Sequence, residues 1–336
     1  MSAEPEVSVV IPTRDRAGFL SGALRCALGQ EDVAVEVVVV DDGSGDGTPS
    51  LLAGLDDPRL RVIRFERSRG QMEARNAGVA AARAPWIAFL DDDDLWAPDK
   101  LRRQLDEARR TGASWVFCGV LLISPEGDVV PVPAEGDPAG ILKELLQRNV
   151  VQAGASTVVV EAARLRAVGG FQDGLNNPWD LWIRLAADGP AAAVPEPLAA
   201  YRRHSSSFVT ASRKTVMADA RRIAERHRDL AERHGVEFDL DRLDRWLDSE
   251  LVRGLRSAAS TRLREGRRLE AARLQLRALA TSRSRSDLRR LLRIVLGERA
   301  RRLVNGVRPA PPGDEPGREP VPSWLAPYLE RPDGAR

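Results

Sequence analysis

Residues 35–44 read VEVVVVDDGS, in which four consecutive valines, Val37–Val40, lead into two carboxylates. Strands buried on both faces are continuously hydrophobic, so this run predicts an interior strand of a parallel sheet. Four further runs are strand-like: Val7–Ile11, Arg61–Phe65, Trp86–Leu90 and Trp115–Ile123. The segments between them carry apolar residues at the three- and four-residue spacing of amphipathic helices. This alternation, which continues to about Tyr201, predicts an α/β fold with a mostly parallel twisted sheet flanked by helices.

The second part of the chain has a different composition. Residues 1–212 carry 22 basic and 30 acidic side chains, whereas residues 213–336 carry 29 basic and 19 acidic ones. Arg, Leu, Ala and Glu dominate residues 213–308, which favours packed amphipathic helices. Residues 309–336 hold eight prolines in 28 positions and predict an extended, disordered tail. The sequence therefore predicts an α/β domain over 1–212, a basic helical region over 213–308 and a tail over 309–336.

Several protein classes are excluded or disfavoured by composition. The longest uncharged stretch, residues 111–125, has 15 residues, whereas crossing a bilayer takes about 20 apolar ones. The acidic N-terminus lacks the basic, apolar and small-residue order of a signal peptide. We therefore expect a cytoplasmic protein. Cys26 and Cys118 lie far apart among apolar neighbours, so reduced, packed thiols are expected.

Two predicted strands end in carboxylates. Asp41 follows the run at Val40, and Asp91–Asp94 follow Leu90. Ligands of open α/β sheets bind at the carboxyl ends of the strands. A carboxylate fixed there accepts a hydrogen bond from a neutral N–H donor such as the imide of uracil or thymine. Four neighbouring carboxylates repel one another, and a hard cation such as Mn²⁺ or Mg²⁺ relieves that repulsion while bridging a diphosphate. A solvated turn that caps the next helix is the alternative interpretation.

Other diphosphate-binding classes fit less well. Gly43, Gly45 and Gly47 do not form a dinucleotide-binding fingerprint, because Thr48 stands where the third glycine is required. The Asp-rich sites of prenyl-diphosphate enzymes lie on helices, whereas residues 86–90 are strand-like. A sugar-phosphate nucleotidyltransferase needs a glycine-rich basic loop after its first strand, and residues 12–16, PTRDR, contain no glycine.

Four motifs together resemble the family 2 glycosyltransferases, which have the GT-A fold. They are VVIPT at 9–13, VVDDGS at 39–44, ARNAG at 74–78 and FLDDDDLW at 89–96. The motifs follow the family's order and approximate spacing. The resemblance implies a nucleotide-diphospho-sugar donor of the uridine or thymidine type, a divalent metal, and inversion at the sugar carbon. It also implies a role in surface polysaccharide or glycoconjugate synthesis.

The resemblance also implies roles for individual residues. The base and ribose pocket would be lined by Pro12, Thr13 and Asp15, with Asp41 accepting the base N–H and Arg75 near the nucleotide. The family's Asp-x-Asp element corresponds to Asp91, Asp92 and Asp93. Asp93 would be the direct metal ligand, with Asp91 nearer the ribose. His204, in an Arg-x-His element after a strand, would reach the metal or a phosphate; the alternative is an ordinary surface histidine.

The family's catalytic acidic pair is missing from its expected place. It normally lies between a Gly-Gly-Phe turn, here 169–171, and a Trp-Asp-Leu-Trp helix, here 179–182, but its positions are Asn177 and Pro178. A general base contributes about 100- to 10,000-fold in rate. Three explanations stay open: Asp180 or Asp173 is the base, the transfer runs slowly without one, or the protein is a non-catalytic nucleotide-sugar-binding or scaffold homologue. Asp180 is the preferred base, because it begins a helix one turn away, although it could equally be an N-terminal cap.

The basic region suggests a second surface. Residues 262–308 contain 15 Arg and four acidic residues, and Leu288–Leu303 interleaves aliphatic residues with arginines. Such a segment is typical of a helix on an anionic membrane, where it could meet a lipid-linked hydroxyl acceptor. A solvated helix face is the alternative. We do not expect nucleic-acid binding, because the stretch has no aromatic residue to stack on bases.

Overall fold

The computed structural model describes residues 4–123, 129–134, 136–175, 177–202, 213–296 and 321–329. The strands are β1 (Val7–Thr13), β2 (Val35–Asp41), β3 (Leu60–Arg64), β4 (Trp86–Phe89), β5 (Leu95–Trp96), β6 (Trp115–Ile123), β7 (Val129–Val132), β8 (Val158–Glu161) and β9 (Ala191–Arg202). The first seven helices are α1 (Ala17–Leu28), α2 (Thr48–Ala53), α3 (Gln71–Ala81), α4 (Lys100–Thr111), α5 (Ile141–Leu145), α6 (Ala162–Ala167) and α7 (Trp179–Asp188). The later helices are α8 (Arg213–Arg226), α9 (Arg228–Arg233), α10 (Leu240–Arg264), α11 (Arg268–Ser282), α12 (Arg285–Leu296) and α13 (Ala326–Leu329).

The strands form one sheet in the order β3-β2-β1-β4-β8-β6-β9-β5, with β7 paired to β6. Its first four strands are parallel, because β1 pairs in parallel with both β2 and β4, and β2 pairs in parallel with β3. The register sets Thr13 opposite Asp41. The carboxyl ends of β2, β1 and β4 therefore lie side by side, and the predicted α/β sheet is confirmed.

The remaining strands add antiparallel pairings. β8 joins β4 and β6 antiparallel, and β5 joins β9 antiparallel, while β6 and β9 run parallel. β5 has two residues and β8 has four. Strands this short carry too few residues to show an alternating or continuous pattern in the sequence.

Helix α3 lies directly against the sheet. A Cβ at Gly78 would come within 2.3 Å of Val10 Cγ1. Only glycine permits this approach without a shift of β1 or of the helix. The close packing fixes the preceding turn of α3, which carries Arg75 and Asn76, above the carboxyl ends of β1 and β4.

The described chain divides into two compact units. The first contains residues 4–202, 221–238 and 321–329, and the second contains residues 213–220 and 239–296, in each case apart from the gaps in the description. The division predicted at residues 212 and 308 stays a prediction. Apolar contacts hold the second unit together, in one cluster around Leu247 and another around Val252 and Leu255.

Part of the segment predicted to be an extended tail packs on the first core. Leu325 is fully buried there, and Trp324 and Tyr328 lie against the same cluster. The Arg25 guanidinium stands 4.9 Å from the centre of the Tyr328 ring. Aromatic and aliphatic residues near the end of a proline-rich stretch thus anchor residues 321–329. Among the described residues, no helix combines the length and apolar character needed to cross a membrane.

Candidate active site

Asp41 ends β2 as a buried carboxylate with one unused oxygen. Its Oδ1 accepts a hydrogen bond from the Ser44 amide at 2.8 Å. Its Oδ2 is buried and has no hydrogen-bond partner among the residues that the structure describes; Arg64 Nη1 lies 3.6 Å away. A buried acceptor without a donor is unfavourable, so this oxygen is suited to a ligand N–H.

Asp42 holds the loop that leads into α3. Its carboxylate accepts hydrogen bonds from the Arg69 amide at 2.6 Å, the Gly70 amide at 3.1 Å and the Ser68 hydroxyl at 2.6 Å. Gly43 follows with φ +73°, and a Cβ there would lie 2.9 Å from the backbone of Arg67. The sequence analysis assigned no role to Asp42. Its position beside Asp41 at the end of a strand was the feature that could have indicated one.

Asp15 joins the loops that follow β1 and β2. Its Oδ1 accepts from the Gly45 amide at 2.7 Å, and its own amide donates to the Ser44 hydroxyl at 3.0 Å. The residue has φ +53°, a conformation that Asp tolerates better than most residues. Pro12 is buried within β1. Of the three residues assigned to the base and ribose pocket, Asp15 thus borders the loop after Asp41.

The four aspartates after β4 have different surroundings. Asp91 Oδ1 accepts from Arg75 Nη2 at 2.5 Å, and the Asp91 amide donates to the Ser156 hydroxyl at 3.0 Å. Ser156 in turn donates to Asp94 at 2.6 Å, and Asp94 is fully buried. Asp94 is therefore part of the loop's internal bonding, and Asp91 faces α3.

Asp92 and Asp93 share a cation from the loop after β1. Asp92 accepts from the Thr13 hydroxyl at 2.7 Å and from Arg16 Nη1 at 3.2 Å, and the same Arg16 nitrogen contacts Asp93. Thr13 therefore points to the carboxylate cluster. Arg16 was not assigned a role from sequence; its signal was a basic residue directly after a strand that borders an acidic loop.

Burial and mutual repulsion disfavour ionisation in the carboxylate cluster. Burial raises the pKa of Asp92 to about 7, with a further contribution from the Asp93 charge, even though Arg16 and Thr13 act in the opposite direction. Burial and the neighbouring Asp93 and Asp91 charges also raise the pKa of Asp94. A second cation near Asp92 and Asp93 would stabilise their ionised forms.

The side chains of the carboxylate cluster suit a hard divalent ion by their chemical type, not by their arrangement in this structure. Asp91, Asp92 and Asp93 offer carboxylate oxygens, the ligands that Mg²⁺ and Mn²⁺ prefer, and Arg16 already provides positive charge between two of them. Within the described ranges, no group of three or more His, Cys, Asp or Glu side chains is arranged to hold a metal. His204, the further ligand predicted from sequence, lies outside the described residues.

Arg75 connects the cluster to the Gly-Gly-Phe turn. Its side chain is buried, contacts Asp91 and lies 5.4 Å from the centre of the Phe171 ring. The next residue, Asn76, donates to the Phe171 carbonyl at 2.8 Å and accepts from its amide at 2.9 Å. In the motif at 74–78, Asn76 therefore binds the Gly-Gly-Phe turn, and Arg75 binds Asp91, a candidate metal ligand.

Asp180 lies in a cluster of cations behind that turn. Its Oδ2 accepts from Arg184 Nε at 2.8 Å, and its Oδ1 accepts from Arg226 Nη1 at 3.0 Å and contacts His227 Nε2 at 2.9 Å. Burial by itself would raise the pKa of Asp180, but the His227 hydrogen bond and the charge of Arg184 outweigh burial and hold the pKa below its usual value. A carboxylate held in its ionised form by three partners is a weak proton acceptor. The geometry therefore disfavours Asp180 as the base.

The positions of the missing acidic pair have structural roles. Asn177 Oδ1 accepts from the Trp179 amide at 2.9 Å at the start of α7, and Pro178 is buried. Trp179 is buried and donates to the Leu145 carbonyl at 2.7 Å. Asp173, the other candidate base, is exposed on the loop between the Gly-Gly-Phe turn and Asn177.

A family model, "Glycosyl transferase family 2", matches residues 8–152. This region of the chain is thus similar to glycosyl transferase family 2. The match covers β1 to β4 with all four motifs. It confirms the family resemblance drawn from them.

Two curated relatives support the family assignment. The "Succinoglycan biosynthesis protein ExoO" of Rhizobium meliloti (strain 1021) is 41% identical over 151 residues, which are 44% of this chain and 43% of that protein. The Escherichia coli "UDP-Glc:alpha-D-GlcNAc-diphosphoundecaprenol beta-1,3-glucosyltransferase WfgD" is 27% identical over 188 residues, which are 56% of this chain and 72% of that protein. The chain thus spans less than half the length of ExoO.

The fold resembles that of a solved structure. The crystal structure of S. aureus TarS 1-349 in complex with UDP-GlcNAc has a TM-score of 0.53 and 17% identity, covering 89% of this chain and 83% of that chain. At this identity the likeness concerns the fold alone. The predicted GT-A-like fold with a helical C-terminal region is confirmed.

Proposed function

We propose that the protein is a glycosyltransferase that moves a sugar from a nucleotide-diphospho-sugar to an acceptor hydroxyl in surface polysaccharide or glycoconjugate synthesis. One observation carries the proposal: Asp41 Oδ2, which accepts no hydrogen bond from a described residue, and the carboxylates Asp91–Asp93 stand at the carboxyl ends of strands separated only by β1. Neighbouring strands are about 4.8 Å apart. A base-recognition group and a diphosphate-binding group therefore lie within the span of one nucleotide.

The donor is of the uridine or thymidine type. The unpaired acceptor of Asp41 suits the imide N–H of either base, and the loops joined by Asp15 border the same strand end. Cytosine has an acceptor in place of that N–H, so it would leave Asp41 unsatisfied and add repulsion between lone pairs. The TarS structure contains UDP-GlcNAc, and the name of WfgD specifies UDP-Glc, which supports the same donor class.

The carboxylate cluster would hold the diphosphate through Mn²⁺ or Mg²⁺. Asp93 is the proposed direct ligand, with Asp91 beside it and Asp92 held by Thr13 and Arg16. A bound dication would neutralise charge on the departing diphosphate. Arg75 fixes the orientation of Asp91, and Arg16 limits the repulsion between Asp92 and Asp93.

The transfer is proposed to be an inverting displacement. The acceptor oxygen would attack the anomeric carbon while the bond from that carbon to the diphosphate oxygen breaks, and the hydroxyl proton would pass to a base. Because Asp180 is held in ion pairs, we assign the base to Asp173, the exposed carboxylate on the loop between the Gly-Gly-Phe turn and α7. WfgD is named for a diphosphoundecaprenol acceptor, which supports a lipid-linked acceptor here.

A non-catalytic nucleotide-sugar-binding homologue is the second candidate. It is favoured by the Asn177 cap and the buried Pro178 at the acidic positions, which leave no carboxylate there. This candidate predicts donor binding without turnover. Nucleotide release measured with and without lipid-linked and soluble acceptors separates the two candidates, because only a transferase releases nucleotide faster when its acceptor is present.

Calorimetry of nucleotide binding tests the donor assignment without requiring turnover. In the presence of Mn²⁺, the wild-type protein should bind uridine diphosphate more tightly than cytidine diphosphate. Asp41→Asn should weaken uridine diphosphate binding about tenfold or more and narrow the preference, because an amide can donate to cytosine. Asp57→Asn, at a carboxylate bound to Arg59 away from the site, is the matched control. Equal affinities of the wild type for the two nucleotides would overturn the role of Asp41.

The metal assignment has its own readout. Asp93→Asn should remove most of the Mn²⁺ dependence of uridine diphosphate binding while leaving the uridine preference intact. Binding of the wild type that is unaffected by chelation of divalent ions would contradict a metal-bridged diphosphate and leave the base-recognition test unaffected.

A further inference from the structure

The outer surface of α11 and α12 carries arginines without counter-charges. Residues 271–296 contain seven arginines and a single acidic residue, Asp287. Asp287 is fully buried and accepts from Arg256 at 2.7 and 2.6 Å and from Gln275 at 2.9 Å. The Arg256 hydrogen bonds outweigh the effect of burial and lower the pKa of Asp287. The acidic residue of this stretch is therefore used inside the unit and offsets no charge at the surface.

The seven arginines differ from others in the same unit. Arg262 and Arg267 bind Glu265 and Glu270 in short ion pairs. No ion pair involving the seven is found in the part of the chain that the structure describes; they are Arg273, Arg277, Arg283, Arg285, Arg289, Arg290 and Arg293. The acidic residues of the unit thus neutralise Arg256, Arg262 and Arg267, whereas the seven arginines keep their full positive charge.

Exposed aliphatic side chains lie between these arginines. On α11, Leu269 is 80% exposed and Leu276 is 55% exposed. On α12, Leu288 is 45% exposed and Val295 is 59% exposed. Each pair is seven residues apart, which places its members on one face of the helix. Arg273 lies between the first pair in the same stripe, at positions i, i+4 and i+7.

The two helices pack against each other within the second unit. Arg268 Nη2 on α11 donates to the Ile294 carbonyl on α12 at 3.1 Å, and Gln275 bonds Asp287. Their inner sides are therefore occupied, with Ala278 and Ile294 buried. The exposed leucines and valine are what remains after this packing.

We propose that the exposed face of α11 and α12 binds the anionic surface of a lipid bilayer. Aliphatic side chains insert at the level of the headgroups, and arginines beside them pair with lipid phosphates. A second copy of the same face would bring like charges together, which disfavours self-association. Nucleic acid would pair with the arginines but would leave the exposed aliphatic residues in water, and residues 271–296 contain no aromatic side chain for base stacking.

This binding does not depend on the proposed sugar transfer. It would hold the chain at the surface where a lipid-linked acceptor resides. Residues 297–303, the end of the amphipathic segment predicted from sequence, lie outside the described residues. The test therefore uses positions in α11 and α12 within the full chain.

Co-sedimentation with vesicles tests the proposal. The full chain should bind vesicles of phosphatidylglycerol and phosphatidylcholine mixed, bind pure phosphatidylcholine far less, and lose binding as salt rises. Arg273→Gln combined with Arg285→Gln, at exposed positions within one turn of Leu276 and Leu288, should weaken binding about 25-fold, at about fivefold per arginine. The matched control is Arg242→Gln combined with Arg245→Gln on α10, which removes the same charge from exposed positions of the same unit and should change binding less than twofold.

The aliphatic residues need a separate variant. Leu276→Ser combined with Val295→Ser should also weaken vesicle binding while leaving the affinity for a short duplex DNA unchanged. Equal losses for the Arg242/Arg245 variant and the Arg273/Arg285 variant would overturn the proposal, since net charge alone would then account for binding. The proposal would also be overturned if the full chain did not bind anionic vesicles. It would be overturned, too, if the chain bound the duplex DNA more tightly than the vesicles and the serine variant bound the vesicles as well as the wild type does. Uridine diphosphate binding, measured in parallel, reports folding and the proposed donor site independently.

Discussion

The substitution Asp180→Asn tests whether Asp180 is a catalytic base or a structural carboxylate. Asp180 is 2% exposed and lies within hydrogen-bond distance of Arg184, Arg226 and His227. The amide keeps the shape but removes the counter-charge of two guanidinium groups. Removing one partner of a buried ion pair costs about 3–5 kcal/mol. Because Arg226 is 40% exposed and can be hydrated, we expect the lower end, about 3 kcal/mol.

Urea denaturation followed by tryptophan fluorescence measures this loss, since Trp179 and Trp182 lie on the same helix as Asp180. Asp188→Asn is the matched control. Asp188 ends that helix and pairs with Arg164 at 3.1 Å, with both side chains partly exposed. An exposed pair of this kind contributes about 0.2–1 kcal/mol.

The pH dependence has a defined sign. The pKa of Asp180 is lowered in the folded protein, so its stabilising effect is complete above the ordinary carboxyl pKa and is lost as the pH falls through the folded value. The stability difference between wild type and Asp180→Asn should therefore be constant from about pH 6 to 8 and shrink only below about pH 4. Turnover per folded molecule should fall less than tenfold. An unchanged unfolding midpoint together with a loss of turnover of 100-fold or more would refute this reasoning and restore Asp180 as the base.

Three further changes test other parts of the structure. Asp173→Asn should lower turnover about 100- to 10,000-fold with unchanged uridine diphosphate affinity; unchanged nucleotide release would place the base elsewhere. Burial lowers the pKa of Lys100 to about 8, so stability should rise with pH between that value and its ordinary value. Lys100→Met should accordingly stabilise the protein by up to about 3 kcal/mol at pH 7 in urea denaturation, whereas the exposed Lys143→Met should change stability little; a loss of stability in Lys100→Met would contradict the buried-charge argument. Gly78→Ala should destabilise the folded protein by about 1–3 kcal/mol, because the added Cβ would collide with Val10. A melting temperature in calorimetry equal to that of the wild type would contradict this and show that α3 can shift.

The sequence predicted the site best where function depends on neighbours along the chain. The acidic turns after β2 and β4 follow long hydrophobic runs, so both their positions and their shared edge of the sheet could be predicted. Within those turns the individual roles were harder to assign. Asp91, Asp92 and Asp94 are adjacent in sequence but bind Arg75, Thr13 and Ser156, which lie on three different elements.

The role of Asp180 could not be predicted for the same reason. An Asp in the first turn of a helix is typical of a cap or of a catalytic group, and the one nearby partner, Arg184 at i+4, is compatible with both. Two of its partners, Arg226 and His227, lie 46 and 47 residues further along the chain. His227 lies where the chain turns between α8 and α9. That turn sets the imidazole against Asp180.

These contacts give Asp180 an indirect relation to the donor site. Arg184, which it holds, donates to the Val168 carbonyl at 2.5 Å and to the Gly170 carbonyl at 2.7 Å. The turn fixed in this way carries Phe171, against which Arg75 packs while it contacts Asp91. A guanidinium with three directed donors suits this task better than an ammonium group does. The carboxylate that the sequence suggested for proton transfer is therefore better understood as the anchor of the turn beside the carboxylate cluster, and the base that we propose instead, Asp173, lies on the loop between that turn and α7.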